Sequence, residues 1–311
     1  VGTASVGVAA RRLGPTLRRA PLEPAHEYAG PEDVAGSGAD VSQLTLSLFG
    51  HDGAVPRVAG HLASETGRWS LVRADAVEAM RGLRDGSVDV IFADPPYFLS
   101  NGGSTCRGGA RVSVDKGAWD QSKGLEADHR FNVGWLEEAQ RVLSPSGSIW
   151  VSGTHHVIFS VGFAMQGLGF KVLNQVTWEK PNPPPNLGRR TLTHSTETLI
   201  WAAKGLKSRY RFNYAELRAA NGGKQQKDVW RFTAPLKAER AHGRHPTQKP
   251  VVLLDMVLRA SCGPGALVLD PFCGSGTTGV AALRLGHRFL GVDLDEEHLE
   301  TARRRLEEVS R

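Results

Sequence analysis

Apolar positions along the chain gather into short runs bounded by glycine, proline and polar turns, and these runs alternate with segments of helical period. Residues 71–75 read as a strand, 76–83 as a short helix and 85–86 as a turn before the run Val88-Asp89-Val90-Ile91-Phe92-Ala93. Further strands are predicted over 148–152, 170–178, 196–203, 266–270 and 289–293. Helices are predicted over 131–143, 157–168, 250–261, 277–285 and, in a charged segment, 303–311. Residues 144–147, Ser-Pro-Ser-Gly, break the pattern between a helix and a strand. Strands rich in Val, Ile, Leu and Phe, separated by helices, point to an α/β fold whose sheet is covered on both faces. Residues 1–67 are rich in Gly, Ala and Pro and show no sustained period, so a mobile tail is expected there; within it, 44–49 reads as a docked strand or a tether.

The run 88–93 ends abruptly in Asp94-Pro95-Pro96-Tyr97. Proline has no backbone N–H, so the ladder stops and the chain must leave the sheet. Two successive prolines stiffen the exit and fix the direction of its carbonyls. Asp94 and the Pro95 carbonyl can therefore act as paired acceptors for a group with two N–H donors, such as the exocyclic amine of a nucleobase, and Tyr97 offers a flat face for a ring to stack on. The plainer reading of these four residues is a strand that stops at a Pro-Pro turn.

A second strand ends the same way, in Trp178-Glu179-Lys180-Pro181-Asn182 and three more prolines. Trp178, Lys180 and Asn182 are candidates for contact with a ligand, and a rigid linker explains the prolines without them. Between the two exits lies a glycine-rich segment, 98–123, containing Trp119-Asp120, which reads as a lid or as a surface loop. Residues 187–244 carry thirteen basic against four acidic residues, with Tyr210, Phe212, Tyr214, Trp230 and Phe232 interleaved. That mixture suits contact with phosphates and bases, with Arg189, Arg190, Arg209, Arg211, Lys224 and Lys227 as candidates, although some of the aromatics must form a local core. The doubled arginines Arg11-Arg12 and Arg18-Arg19 read as solvated pairs or as nonspecific contacts to the same polyanion.

Two stretches suggest a nucleoside cofactor. His245-Pro246-Thr247-Gln248-Lys249-Pro250 opens a helix whose first N–H groups, with Lys249, make a seat for a carboxylate. Asp270-Pro271-Phe272-Cys273-Gly274-Ser275-Gly276-Thr277-Thr278 joins a strand to a helix, and Asp293 closes the next strand. Glycines let backbone approach a ligand, and an acid about 20 residues on accepts from ribose hydroxyls. The turn lacks the Gly-x-Gly-x-x-Gly fingerprint, which argues against NAD. Asp75, just past a strand end and followed by Ala76, is at least a helix N-cap.

Composition narrows the rest. The chain of 311 residues is 40% hydrophobic, ordinary for a globular protein, and no apolar run approaches the roughly 20 residues that cross a bilayer. No signal-type segment opens it, and a cytoplasmic location without membrane contact is expected. Cys106, Cys262 and Cys273 are scattered and without metal-ligand spacing, so reduced thiols and no metal site are expected. A net charge of +6 and a pI near 9.4 permit a polyanionic partner.

Taken together, Asp94-Pro-Pro-Tyr97, His245-Pro-Thr-Gln-Lys-Pro250 and Asp270-Pro-Phe-Cys-Gly-Ser-Gly-Thr-Thr278 resemble the β group of DNA amino-methyltransferases, over residues from about 71 onward. The resemblance implies a Rossmann-like methyltransferase fold with a mostly parallel seven-stranded sheet, helices on both faces and an inserted target-recognition region. The implied divisions are 1–67 (tail), 68–186 (catalytic half), 187–244 (recognition region, with strand 196–203 in the sheet) and 245–311 (cofactor half). It implies S-adenosyl-L-methionine as cofactor, held by Asp75, Ala76, Asp94, His245, Thr247, Gln248, Lys249, Pro271, Phe272, Gly274, Ser275, Gly276, Thr277, Asp270 and Asp293, with the methionine carboxylate at the helix start. Asp94, Pro95, Pro96 and Tyr97 would direct an adenine N6 amine at the sulfonium methyl for in-line transfer, with no cysteine nucleophile. The stretches 94–103, 112–120, 193–198 and 223–230 further resemble DpnA-type adenine methyltransferases of GATC restriction systems, which implies duplex and also single-stranded DNA as substrate. Arg189-Arg190-Thr191-Leu192 departs from that pattern in the recognition region. A cognate restriction endonuclease is the implied partner, with the protein a monomer or a homodimer. Cytosine N4 methylation remains the alternative within the class, and an inactive DNA-binding module the alternative outside it.

Overall fold

The computed structural model describes residues 60–311 except 65, 101–103, 108–109, 114–119, 244 and 246, with the backbone alone described at 104–107 and 110–113. Expectations for residues 1–59 and for Trp119 lie outside the described residues. In chain order the elements are β1 (Gly60–Ala63), β2 (Trp69–Arg73), α1 (Ala76–Arg81), β3 (Val88–Ala93), β4 (Ser104–Arg107), β5 (Ala110–Ser113), α2 (Leu125–Val142), β6 (Leu143–Gly153), α3 (Ile158–Gly167), β7 (Lys171–Glu179), β8 (Thr196–Ala203), α4 (Tyr214–Ala220), β9 (Val229–Arg231), a 3-10 turn (Ala238–Arg240), α5 (Val251–Ser261), β10 (Leu267–Asp270), α6 (Thr277–Arg284), β11 (Arg288–Asp293) and α7 (Glu296–Ser310).

Nine strands form one sheet in the order β1-β2-β11-β10-β3-β6-β8-β7-β9, and β4 and β5 form a separate hairpin. The block β2-β11-β10-β3-β6 is parallel, while β8 runs antiparallel to both β6 and β7. The seven strands from β2 to β7 are the sheet expected from the sequence. The two additions are short edge strands, β1 antiparallel on β2 and β9 parallel on β7. Four and three residues long and only partly buried, they carry too little apolar alternation to stand out. The sheet thus begins at Gly60, ahead of the boundary drawn at 67.

Alternation along each strand divides two cores. Ile91 and Ala93 of β3 face α1, α2 and α3 with Ile149 and Leu269, whereas Val90 and Phe92 face α5, α6 and α7 with Trp150 and Val268. The 144–147 break is absorbed inside β6 as a bulge: Leu143 pairs with Val88, and pairing resumes only at Ser148 with Val90. The helix expected from 131 begins at Leu125, and the one expected from 303 begins at Glu296, where the Asp295 side chain accepts from the N–H groups of Glu297 and His298. Both starts are polar, so their helical period is hidden.

The order of strands changes direction between β10 and β3. The chain leaves β10 through α6 toward β11 on one side and leaves β3 toward β6 on the other, which opens a crevice at their carboxyl ends. Asp270, Asp94 and Asp293 all stand at this edge.

Candidate active site

Beyond Asp270 the chain turns into α6 with Gly274 at φ +48° and Gly276 at φ +73°. Only glycine adopts these values freely, and close neighbours reinforce the requirement: a Cβ at Gly274 would lie 3.0 Å from His245 Nε2, and one at Gly276 2.8 Å from the Ala302 Cβ. Asp293 holds the turn in place, its Oδ2 accepting from the Gly274 N–H at 2.8 Å and its Oδ1 from the Asp295 N–H at 2.9 Å. Burial raises its pKa, but bonds from His298 and the two backbone amides outweigh burial and hold it below the usual range. Arg305, buried on α7, donates to the Ser275 carbonyl at 2.6 Å and to the Thr277 hydroxyl at 3.0 Å.

A cleft lies over this turn. The turn contributes Phe272, Gly274, Ser275 and Thr277; the segment before α5 contributes His245, Thr247, Gln248 and Lys249; the strand ends contribute Asp94 and Asp270. Pro271 and Gly276 shape the turn without lining the cleft. Asp75 and Ala76 also lie outside it: Asp75 caps α1, accepting from the N–H groups of Val77 and Glu78, and the Ala74 N–H beside it reaches the Asp293 carbonyl at 3.2 Å. Burial, with Asp94 and Asp293 nearby, pushes the Asp270 carboxyl up to about 7, against a 2.5 Å bond from the Thr278 hydroxyl and a 3.1 Å bond from the Phe272 N–H. Burial, aided by His298 at 4.2 Å between rings, lowers His245 to about 3, so its imidazole is neutral. The carboxylate seat expected at the start of α5 is already taken. The Val251 N–H donates to Glu239 Oε2 at 2.9 Å, because the 3-10 turn brings an acid of the chain itself to the helix start.

On the neighbouring strand, β3 delivers Asp94 with both oxygens engaged. The Tyr97 hydroxyl donates to Oδ1 at 2.5 Å, and the Lys249 ammonium donates to Oδ2. Lys249 also lies 3.6 Å from Glu197 Oε2, and the other oxygen of Glu197 pairs with Lys180. A row of charges, Lys180, Glu197, Lys249 and Asp94, thus runs inward from the second proline exit to the first. Burial depresses the Lys249 pKa, but Asp94 and Glu197 outweigh it and raise the ammonium above its ordinary value. Glu197 is the mirror case, lowered against burial by Lys249 and Lys180. Burial and the Asp94 charge together drive the Tyr97 phenol well up.

The open stacking face expected of Tyr97 is turned inward. The side chain is 6% exposed, since its hydroxyl gains a charged acceptor only when the ring packs into the core. Pro95 is buried and Pro96 half-buried. The exit itself is pinned by Asp120, which sequence reading left without a role. Its carboxylate accepts from the N–H groups of Tyr97, Phe98 and Leu99 at 2.8, 2.8 and 3.2 Å and from the Ser100 hydroxyl at 2.9 Å. It holds Phe98 at φ +57°, a value uncommon outside glycine. Glu197 was likewise missed, although a lone acid in the apolar run 196–203 was the available signal.

The candidate DNA contacts scatter. Asn182, Arg189 and Arg190 are exposed in the connection between β7 and β8, at the same edge as Asp94, and Lys224 and Lys227 are exposed before β9. Trp178 is 2% exposed and donates to the Phe232 carbonyl, and Lys180 turns inward to Glu197. Arg209 and Arg211 follow the end of β8, and because β8 is antiparallel they emerge at the opposite edge, where Arg211 packs over Gly263 ahead of β10. Of the interleaved aromatics, Trp230 is buried against Trp150 in the local core, while Tyr210 and Phe212 touch Trp201 and stay exposed.

A cleft lined by a glycine turn and a helix start, beside a carboxylate at the end of the neighbouring strand, suits transfer of a group from a bound cofactor to an amine. The chain belongs to the N6/N4 DNA methylase family, whose model matches residues 88–304. It is 51% identical over 238 residues to the type II methyltransferase M2.DpnII of Streptococcus pneumoniae, covering 76% of this chain and 89% of that protein. It is 43% identical over 254 residues to the type II methyltransferase M2.MboI of Moraxella bovis, covering 82% and 93%. Among solved structures, a complex of M1.HpyAVI with S-adenosylmethionine superposes with a TM-score of 0.57 at 26% identity, covering 76% of this chain and 98% of that one. The cytosine-N4-specific PvuII methyltransferase shares the fold, with a TM-score of 0.62 at 17% identity and 80% and 91% coverage.

As a member of this family the chain is a DNA methyltransferase using S-adenosylmethionine. The residues present fit that cofactor. Asp270 is a buried carboxylate facing the cleft with only neutral donors around it, which suits a cationic ligand, and the left-handed glycine turn leaves backbone open to close approach. No helix among the described residues is long and apolar enough to cross a membrane. Cys262 and Cys273 are buried free thiols, and no metal-ligand cluster occurs among the described residues.

Proposed function

We propose that the protein methylates the N6 amine of adenine in GATC, in duplex and in single-stranded DNA, as the modification half of a restriction system whose endonuclease reads the same target. The observation that carries the reading is Asp94. A carboxylate at the first position of the proline exit, beside the cofactor cleft, can accept from an amine, and the 51% identity to M2.DpnII over 238 residues supports the same reading.

S-adenosylmethionine supplies an electrophilic methyl on a sulfonium. The chain's part is to orient the amine. Asp94 and the Pro95 carbonyl accept its two N–H groups, drawing the nitrogen lone pair out of conjugation with the base, and the stiff exit fixed by Asp120 keeps both acceptors in register. Asp270 faces the donor's positive sulfonium, the glycine turn offers backbone to its polar groups, and Asp293 braces the turn. Flipping a paired base costs a few kcal/mol, which an unpaired base avoids, so activity on single strands follows from the same site.

The test is incubation with S-adenosylmethionine and a GATC duplex, its single-stranded form or a scrambled control, followed by digestion to nucleosides. N6-methyladenine confined to the GATC substrates is expected. N4-methylcytosine would overturn the base assignment, and methylation of the scrambled control would overturn the target.

A further inference from the structure

We infer that Glu197 is a positioning residue, which receives the Lys249 ammonium when Asp94 turns to the target amine. The inference rests on the proposed role of Asp94 as acceptor and holds for either base.

The geometry is that of one cation between two carboxylates of unequal engagement. Lys249, 6% exposed, donates to Asp94 Oδ2, with the Tyr97 hydroxyl oxygen at 3.3 Å and the Thr247 carbonyl at 3.4 Å as weaker neighbours. On its other side Glu197 Oε2 stands 3.6 Å away. That oxygen is buried and has no hydrogen-bond partner among the described residues, whereas Oε1 of the same carboxylate is held by Lys180. The oxygen is ion-paired with Lys249 without a hydrogen bond, so a buried acceptor points at an ammonium just beyond bonding distance.

With Tyr97 on one oxygen and Lys249 on the other, Asp94 is occupied as the structure stands. Each oxygen keeps a second lone pair, so the base amine can bind, but the ammonium on Oδ2 weakens the carboxylate as an acceptor and a retreat of Lys249 strengthens it. An ammonium released into a buried site with no acceptor would be prohibitively unstable. Glu197 removes that obstacle: a shift of about 1 Å brings Lys249 from Asp94 Oδ2 to Glu197 Oε2. Both ends of the shift are charge-paired, so the row stays neutral throughout. Lys180, with a side chain 23% exposed and its ammonium 4.6 Å over the Trp178 ring, anchors Glu197 so that the free oxygen keeps its aim. The inward turn of Lys180 from a proline-stiffened strand end is thereby explained by chemistry at the neighbouring exit.

The test compares Glu197→Gln, Glu197→Asp and Lys180→Met with the wild type in the full chain. Three quantities are read: the single-turnover methylation rate, the affinity for S-adenosylhomocysteine, and the fluorescence of 2-aminopurine at the target position as a measure of flipping. In Glu197→Gln the neutral amide no longer competes for Lys249. The rate should fall tenfold or more while cofactor affinity and flipping stay within about twofold. Glu197→Asp, which restores the charge, should recover most of the rate. Lys180→Met, which loosens Glu197 without touching Lys249, should slow the reaction severalfold with DNA affinity unchanged, and it carries the test should Glu197→Gln fail to fold. A wild-type rate in Glu197→Gln, parallel loss of flipping and cofactor binding, or an Asp variant as slow as the Gln variant would overturn the inference. So would loss of DNA affinity in Lys180→Met. Detection of N4-methylcytosine in the wild-type control would reject the adenine assignment and leave the Glu197 comparison intact.

Discussion

Two pairs of buried carboxylates meet around the cleft, and they are served by different donors. Asp94 and Glu197 are held by lysine ammonium groups, with charge balanced inside the row. Asp270 and Asp293 are held mainly by backbone N–H groups and a hydroxyl, with only His298 near Asp293 as a charged neighbour. The outcome for Asp270 stands apart: Glu197 and Asp293 are pushed below the ordinary carboxylate range, while Asp270, with no cation beside it, is pushed up to about 7. The acceptor side is therefore complete without a ligand. The cofactor side carries a carboxyl whose ionised form lacks a counterion until a cation arrives.

Four measurements test that contrast. The largest effect is expected for Asp94→Asn, which should lower the methylation rate by roughly a thousandfold while leaving cofactor affinity unchanged, as rate assays and calorimetry would show. Asp270→Asn should do the reverse. It should weaken S-adenosylmethionine binding by about one to two orders of magnitude, yet raise the melting temperature of the ligand-free protein at pH 8, because the burial cost of the charge is gone.

The third effect concerns pH. A folded carboxyl raised to about 7 binds a proton that the unfolded chain has already lost, so the contribution of Asp270 to stability is greatest at acid pH. It declines as pH rises through the unfolded value toward 7. Binding of a sulfonium favours the ionised form, so affinity for S-adenosylmethionine should rise roughly tenfold between pH 6 and 8 and then level. S-adenosylhomocysteine, a neutral thioether, should show little of this rise, and equal rises for both ligands would refute the assignment to Asp270. The smallest effect is expected for Thr278→Val. Loss of one hydroxyl donor should move the midpoint of that rise upward by about one pH unit or less, as the same titration would detect.

The parallel block came from the family resemblance, whereas the α/β class and both proline exits were legible because each rests on a local pattern: apolar runs of strand length, helical period and residues that cannot continue a ladder. The glycine turn was legible for the same reason. What escaped depends on position in space. Nothing local to Lys180 signals that Glu197, 17 residues away, draws it inward. Asp120 could not be tied to Tyr97 and Phe98, because the intervening hairpin, β4 with β5, brings distant backbone amides onto one carboxylate. The start of α5 resembled an anion seat, and only the fold shows Glu239 occupying it. Arg209 and Arg211 were grouped with Arg189 and Arg190 by composition, whereas the reversed direction of β8 separates them by the height of the sheet.

The strand order has a further consequence for how the molecule is made. In the finished sheet β2 and β3 are neighbours in the chain but stand two strands apart, and the places between them belong to β10 and β11. During synthesis these two central strands emerge after the rest of the parallel block, so until then β2 and β3 each keep an unpaired inner edge. The cooperative core closes only when the glycine-turn segment inserts between them, a step built from contacts of very large sequence separation. A ribosome that has passed residue 244 has produced every acidic and aromatic group of the acceptor exit, yet neither Lys249 nor the cofactor strand. The residues that methylation requires are thus complete only once the C-terminal segment has been made.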